Sequence, residues 1–203
     1  SEFPILEKKC YLINNSLGAM PRKVHTRMQE YATVWETEGV VAWEKWLPLV
    51  DETANLVGSL MNAPKNSVIM HQNVSAFQAI VASALNFRGT RNKIVYEDLN
   101  FPSVSYVWKA YEREGAQVVL VPSSDGIRVD TQRMVDAIDD KTLLVPLSHV
   151  LFRSSYIQDV KAIVEKAERV GATVMLDVYQ SIGTVPFDVQ SLGVHMVVGG
   201  SVK

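Results

Sequence analysis

The sequence predicts a three-layer α/β/α fold built on a mostly parallel sheet. Three observations predict it. From residue 66 onward, short apolar runs alternate with helical stretches. The runs are continuous and β-branched, as strands buried on both faces are. Strict alternation of strand and helix calls for right-handed crossovers, which lay parallel strands side by side under helices. Residues 1–65 read differently, as a mainly helical N-terminal arm, so the expected organisation is an arm over 1–65 and an α/β domain over 66–203.

The arm carries two helical patterns, "PRKVHTRMQEYATVWETEG" and "VAWEKWLPLVDETANLVGSLMN". Pro21 suits a first helical turn and Gly39 a break. Val50, Ala54, Val57 and Met61 recur at spacings of three to four, which is one helix face. Trp35, Trp43 and Trp46 form an apolar surface for core packing or for a subunit interface. In the α/β part, "SVIMH", "KIVYE", "QVVLVP", "TLLVPLS", "ATVMLDV" and "VHMVVGG" read as strands. "VSAFQAIVASALNF", "SVSYVWKAYEREG", "TQRMVDAID" and "IQDVKAIVEKAERVG" read as the helices between them.

Composition narrows the function. A net charge of −2 argues against an electrostatic nucleic-acid or membrane partner. No apolar run is long enough to span a bilayer, and the N-terminus lacks the pattern of a signal peptide. The single cysteine, Cys10, excludes an intrachain disulfide and a Cys-rich metal site, and fits a reducing cytoplasm. No G-x-G-x-x-G, P-loop, H-E-x-x-H or G-x-S-x-G motif is present, which lowers the case for nicotinamide, nucleotide triphosphate, zinc and serine-hydrolase chemistry.

In a parallel sheet the ligand crevice lies beyond the carboxyl ends of the strands. "HQNVSAF" follows the first run and opens a helix; Asn73 caps it, and the amides near Val74 and Ser75 can face an anion. "EDLNFPS" presents Phe101 ahead of a helix-starting proline. "LSHVLFRSSY" offers His149 and Arg153. "LDVYQSIG" ends an apolar run on Asp177, with Gln180 three residues on; a carboxylate there wants a cationic partner. "GGSVK" follows the last strand and ends on Lys203, the residue type that forms a Schiff base with an aldehyde. Taken singly, each has a plainer reading: an N-cap, a core aromatic, a structural imidazole, a solvated charge, a surface lysine.

Taken together they suit pyridoxal 5′-phosphate. That cofactor needs an amine for its aldehyde, a carboxylate for its pyridinium nitrogen, a helix N-terminus for its phosphate and a flat side chain for its ring. Lys203, Asp177, the "NVS" turn and Phe101 supply the four, each beside a predicted strand end.

These residues resemble those of the fold-type I, aminotransferase class V superfamily of pyridoxal-phosphate enzymes, and in particular its kynureninase-like branch. "YLINNSLGAMP" looks like the family's N-terminal segment, "EDLNFPS" like the kynureninase "FPS" segment, "LDVYQSIGTVPFDVQSLGV" like the D-x-x-Q/H-x-x-G-x-x-P-x-D segment, and "GGSVK" like the Ser-x-Lys of the internal aldimine. The resemblance implies that Lys203 is the Schiff-base lysine and the proton shuttle at the substrate α-carbon. It implies that Asp177 pairs with the pyridinium and that Gln180 hydrogen-bonds near the phenolic oxygen. Phe101 would stack on the ring, and Val74 and Ser75 would meet the phosphate with help from Ser201. Asn15 and Ser16 would approach the substrate side, with His149 and Arg153 also available there.

The departures are specific. Kynureninases place a histidine at Gln180, commonly a tyrosine at Val202, and usually an aspartate at Val104. Cysteine desulfurases share the glutamine but stack a histidine in place of Phe101, carry an asparagine near Phe152, and have a histidine just before the lysine. The resemblance implies an amino-acid substrate and a cytoplasmic homodimer. Aminotransfer, elimination and side-chain cleavage all stay open, as does a non-catalytic binding or assembly module that keeps the fold. It also implies a chain roughly twice this long, so the large domain is expected to be incomplete at its C-terminus and the sequence to be a segment of a longer polypeptide.

Overall fold

The computed structural model describes residues 1–203. They divide into two compact units. The first holds 1–60, 64–70 and 202–203; the second holds 61–63 and 71–201.

In the first unit, helices α1 (Lys23–Glu38) and α2 (Trp43–Ser59) are joined by a 3-10 turn, Gly39–Ala42. Gly39 takes φ +55° and donates its N–H to Trp35 O, so the expected break falls on the residue best able to adopt that backbone. The turn folds the tryptophans into one array. Tyr31 stacks on Trp46 at 4.7 Å, with Trp35 edge-on to Tyr31 and Trp43 edge-on to Trp46. Trp35 and Trp43 keep more than half of their surface exposed. Of the predicted helix face, Ala54 is buried while Val50 stays 47% exposed.

The second unit is the α/β part. Its elements run α3 (Val74–Ser83), β1 (Lys93–Glu97), α4 (Pro102–Ala110), β2 (Gln117–Val121), α5 (Thr131–Ala137), β3 (Thr142–Ser148), α6 (Val160–Val170), β4 (Thr173–Asp177), α7 (Val189–Leu192) and β5 (Met196–Val198). The five strands are all parallel, in the order β2-β1-β3-β4-β5. Period-2 alternation sorts their side chains into two cores. Val95, Val145, Leu147, Val174 and Leu176 pack against α5 and α6. Ile94, Tyr96, Leu144 and Met175 pack against α3 and α4. The predicted three layers follow. Helix α6 shows the logic clearly: Val160, Ile163, Val164 and Ala167 line one buried face, and Asp159 caps it by accepting the Ala162 N–H.

Two expectations need correction. "SVIMH" (67–71) is not a strand: it pairs with no strand, and Ile69 is 70% exposed. An apolar run becomes a strand only when a sheet edge accepts its amides and carbonyls, and none does so here. β2 is also not buried on both faces; it lies at the sheet edge, with Leu120 42% exposed.

Candidate functional site

The strand order reverses at β1. The chain leaves β1 toward β2 on one side, then returns to β3 on the other. The carboxyl ends of β1 and β3 therefore flank the switch point, where open α/β sheets bind ligands. The β1–β3 ladder stops at Ile94–Leu144. Pro146 in β3 has no N–H with which to continue it. Side chains bridge the two strands instead: Asn100 Nδ2 donates to Pro146 O at 3.3 Å, and the Ser148 N–H donates to Glu97 Oε1 at 3.0 Å.

The loops leaving these two strands carry the aromatic and cationic candidates. Phe101 follows Asn100, whose Oδ1 accepts its N–H, and Pro102 then starts α4. Phe101 is 47% exposed, and its ring meets Phe152 edge-to-face at 5.1 Å. Phe152 lies in a tight loop closed by Leu151 N–H to Tyr156 O, in which Ser155 adopts φ +59°. The Arg153 guanidinium sits 5.5 Å above the Phe152 ring, a cation–π contact. The structure thus joins Phe101, Phe152 and Arg153 in one row across the switch point.

His149 has a different setting. It is 5% exposed; its Nδ1 lies 2.9 Å from Ser181 Oγ, and its ring is edge-on to Phe187. Burial holds its imidazole below the ordinary histidine range, so it is neutral at physiological pH. The His149 backbone N–H donates to the Asp177 carbonyl at 2.8 Å, and Gln158 holds the same stretch through the Ser148 and His149 carbonyls.

Asp177 ends β4 in register with Ser148 of β3. It is only partly exposed, and its Oδ1 accepts the Tyr179 N–H at 2.8 Å. Gln180, also partly exposed, follows in the same turn. At the first turn of α3, Asn73 Oδ1 takes the Ala76 N–H at 2.8 Å. The amides of Val74 and Ser75 precede it, where a helix has no intrahelical acceptors to offer. Ser201 follows β5 and is exposed. Lys203 belongs to the first unit, as do the exposed Asn15 and Ser16. There the Gly18 N–H donates to Val202 O at 2.6 Å, and a Cβ on Gly18 would stand 3.1 Å from that oxygen. The small residue in "NSLG" thus lets its segment lie against the backbone of Val202 and Lys203.

One strongly perturbed group lies outside the predicted set. Glu97 is fully buried; Ser148 supplies the hydrogen bond to Oε1, and Oε2 has no partner. Burial pushes its carboxyl up to about 7, and the negative charge of Asp177 adds to the rise. Glu97 ends an apolar strand just as Asp177 does, so the same sequence criterion applied to "KIVYE" finds it. No cluster of three or more metal-ligating residues is present, and no helix is long and apolar enough to cross a membrane.

Comparisons with known proteins place the chain in a family. The chain is 32% identical over 201 residues to the uncharacterized aminotransferase YcbU of Bacillus subtilis (strain 168), spanning 99% of this chain and 53% of that protein. It is 26% identical over 196 residues to a kynureninase of Bacillus cereus, spanning 92% and 46%. The chain therefore spans about half the length of these curated relatives. A solved structure of a C-DES mutant with glycine covalently linked to the PLP cofactor has a TM-score of 0.83 at 20% identity, over 98% of this chain and 54% of that one. At that identity the likeness is one of fold. Residues 10–203 match the family described as Aminotransferase class-V, and the chain belongs to that family.

Proposed function

We propose that this chain is the cofactor-binding part of a pyridoxal-phosphate enzyme acting on an amino acid, with Lys203 as the covalent anchor. The observation that carries the reading is Asp177. It stands at the carboxyl end of β4, its Oδ1 fixed by the Tyr179 amide, one strand from the switch point. The donor set fits the cofactor. Asp177 offers an anion for a protonated pyridine nitrogen, and Phe101 offers an accessible flat ring. The first turn of α3 offers backbone amides and a helix dipole for a phosphate.

When bound, the cofactor supplies an electron sink for bonds at the substrate α-carbon. The chain's residues do the rest. Asp177 keeps a proton on the ring nitrogen by stabilising the positive charge. Val74 and Ser75 hold the phosphate through their amides and the serine hydroxyl, with Ser201 adding a hydroxyl. Gln180 donates an amide hydrogen bond toward the phenolic oxygen. Lys203 holds the aldehyde carbon and moves a proton at the α-carbon. Asn15, Ser16 and Arg153 serve the substrate side. His149, buried on Ser181, acts on that side by shaping the loop after β3.

The reaction is of the transferase, lyase or hydrolase type found in this family. The same reading has the complete polypeptide working as a cytoplasmic homodimer, for which the exposed tryptophan array of the first unit is a suitable surface. The test is direct. The complete polypeptide, purified with added pyridoxal phosphate, should show a visible absorption band that Lys203→Ala removes. The absence of any band in wild type, or an unchanged band in Lys203→Ala, refutes the reading.

A further inference from the structure

Tyr179 sits between Asp177 and Gln180, and its amide holds the Asp177 carboxylate. Its side chain has an unusual seat. A Cβ built on Gly200 would stand 2.3 Å from Tyr179 Cε2, 2.5 Å from Cζ and 2.9 Å from Oη. No real side chain tolerates such distances, so the phenol ring lies directly on the glycine backbone. The preceding pair repeats the pattern: a Cβ on Gly199 would stand 3.0 Å from Val178 Cγ2. The Val178 N–H also donates to Val198 O at 2.8 Å. Two successive side chains leaving β4 thus fill the space that two successive glycines leave after β5.

Tyr179 is therefore tied to both segments. Its amide fixes the Asp177 carboxylate at 2.8 Å, and its ring bears on the turn that leads, three residues later, to Lys203. We infer that Tyr179 is a positioning residue: its ring clamps the Gly199–Ser201 turn and so fixes the direction in which Lys203 leaves it. The Gly-Gly pair is the other half of the same device. The inference rests on the proposed role of Lys203, but the clamp itself is a property of the protein without cofactor.

The experiment is a double-mutant cycle on the complete polypeptide, comparing Gly200→Ala, Tyr179→Ala and the pair, with Tyr179→Phe as the conservative variant. Stability is read by urea denaturation without cofactor. Capture of pyridoxal phosphate is read by its rate and by the visible circular dichroism of the bound form. Gly200→Ala should be destabilised moderately, because the partly exposed Tyr179 ring can swing off the turn to admit the methyl, and adding Tyr179→Ala should remove that loss, because the methyl then has room. Tyr179→Ala alone should fold, yet capture cofactor roughly ten- to a hundredfold more slowly and with weaker dichroism, since small misplacements of a reacting group carry costs of that order. Tyr179→Phe should keep the stability coupling to Gly200, because the ring is the clamp. The inference is overturned if Tyr179→Ala captures cofactor at the wild-type rate with unchanged dichroism. It is also overturned if Gly200→Ala is equally impaired with and without Tyr179. If wild type itself captures no cofactor, the role of Lys203 fails, and the stability cycle alone decides whether the clamp exists.

Discussion

Replacing Glu97 with glutamine should remove part of the protein's pH dependence. The folded chain holds this carboxyl at about 7 against an ordinary 4.5, because it is buried and faces the charge of Asp177. Between those two values the unfolded chain releases the proton and the folded chain keeps it. The folded state then binds more protons, so stability falls as pH rises through this window. The contribution is fully present below 4.5 and lost above about 7. Its size is about 3 kcal/mol, at ~1.4 kcal/mol per tenfold change in proton affinity. Glutamine keeps an oxygen to accept the Ser148 N–H and cannot ionise. Near pH 5, Glu97→Gln should match wild type within about 1 kcal/mol; near pH 8 it should be more stable by about 3 kcal/mol. His149 works in the opposite direction, since its lowered value removes stability as pH falls, but it is common to both proteins and cancels in the difference. Urea midpoints at the two pH values decide the matter. Equal differences at both would show that Glu97 is not held protonated by its surroundings.

Two further predictions follow from the same loops. Phe101→Ala should weaken retention of pyridoxal phosphate, measured by loss of visible absorption on dialysis, without preventing its capture; unchanged retention would show that Phe101 does not hold the cofactor. Ser181→Ala removes the hydroxyl on buried His149 Nδ1 and should destabilise the protein by about 1–3 kcal/mol in urea, whereas Ser181→Thr should restore most of the loss.

Asp177 was legible in the sequence because a carboxylate closing an apolar strand is an expensive placement, and so is Phe101, because a residue before a helix-starting proline has a defined backbone. Glu97 satisfies the same criterion as Asp177. The run "EDLN" disguises it as the first of several polar loop residues, and its burial comes from β3, which is brought alongside only by the fold. Pro146 reads as an ordinary interruption in "TLLVPLS"; its consequence, a ladder that ends early and is replaced by Asn100 and Glu97, needs the strand order to be seen. The partner of His149 lies 32 residues later in the chain, and no local pattern marks a serine as the acceptor or donor of a buried imidazole. Tyr179 looks like a spacer between Asp177 and Gln180, and its meaning appears only against Gly200. "SVIMH" shows the reverse failure: its composition is that of a strand, but strand formation depends on a neighbouring edge that local composition does not specify.

Chemical trapping tests whether Lys203 carries the cofactor. The complete polypeptide is loaded with pyridoxal phosphate, reduced with borohydride, digested and sequenced by mass spectrometry. One phosphopyridoxyl group is expected, on the lysine of "GGSVK", and none there in Lys203→Ala. A label on other lysines with Lys203 unmodified, or no label at all, would contradict it.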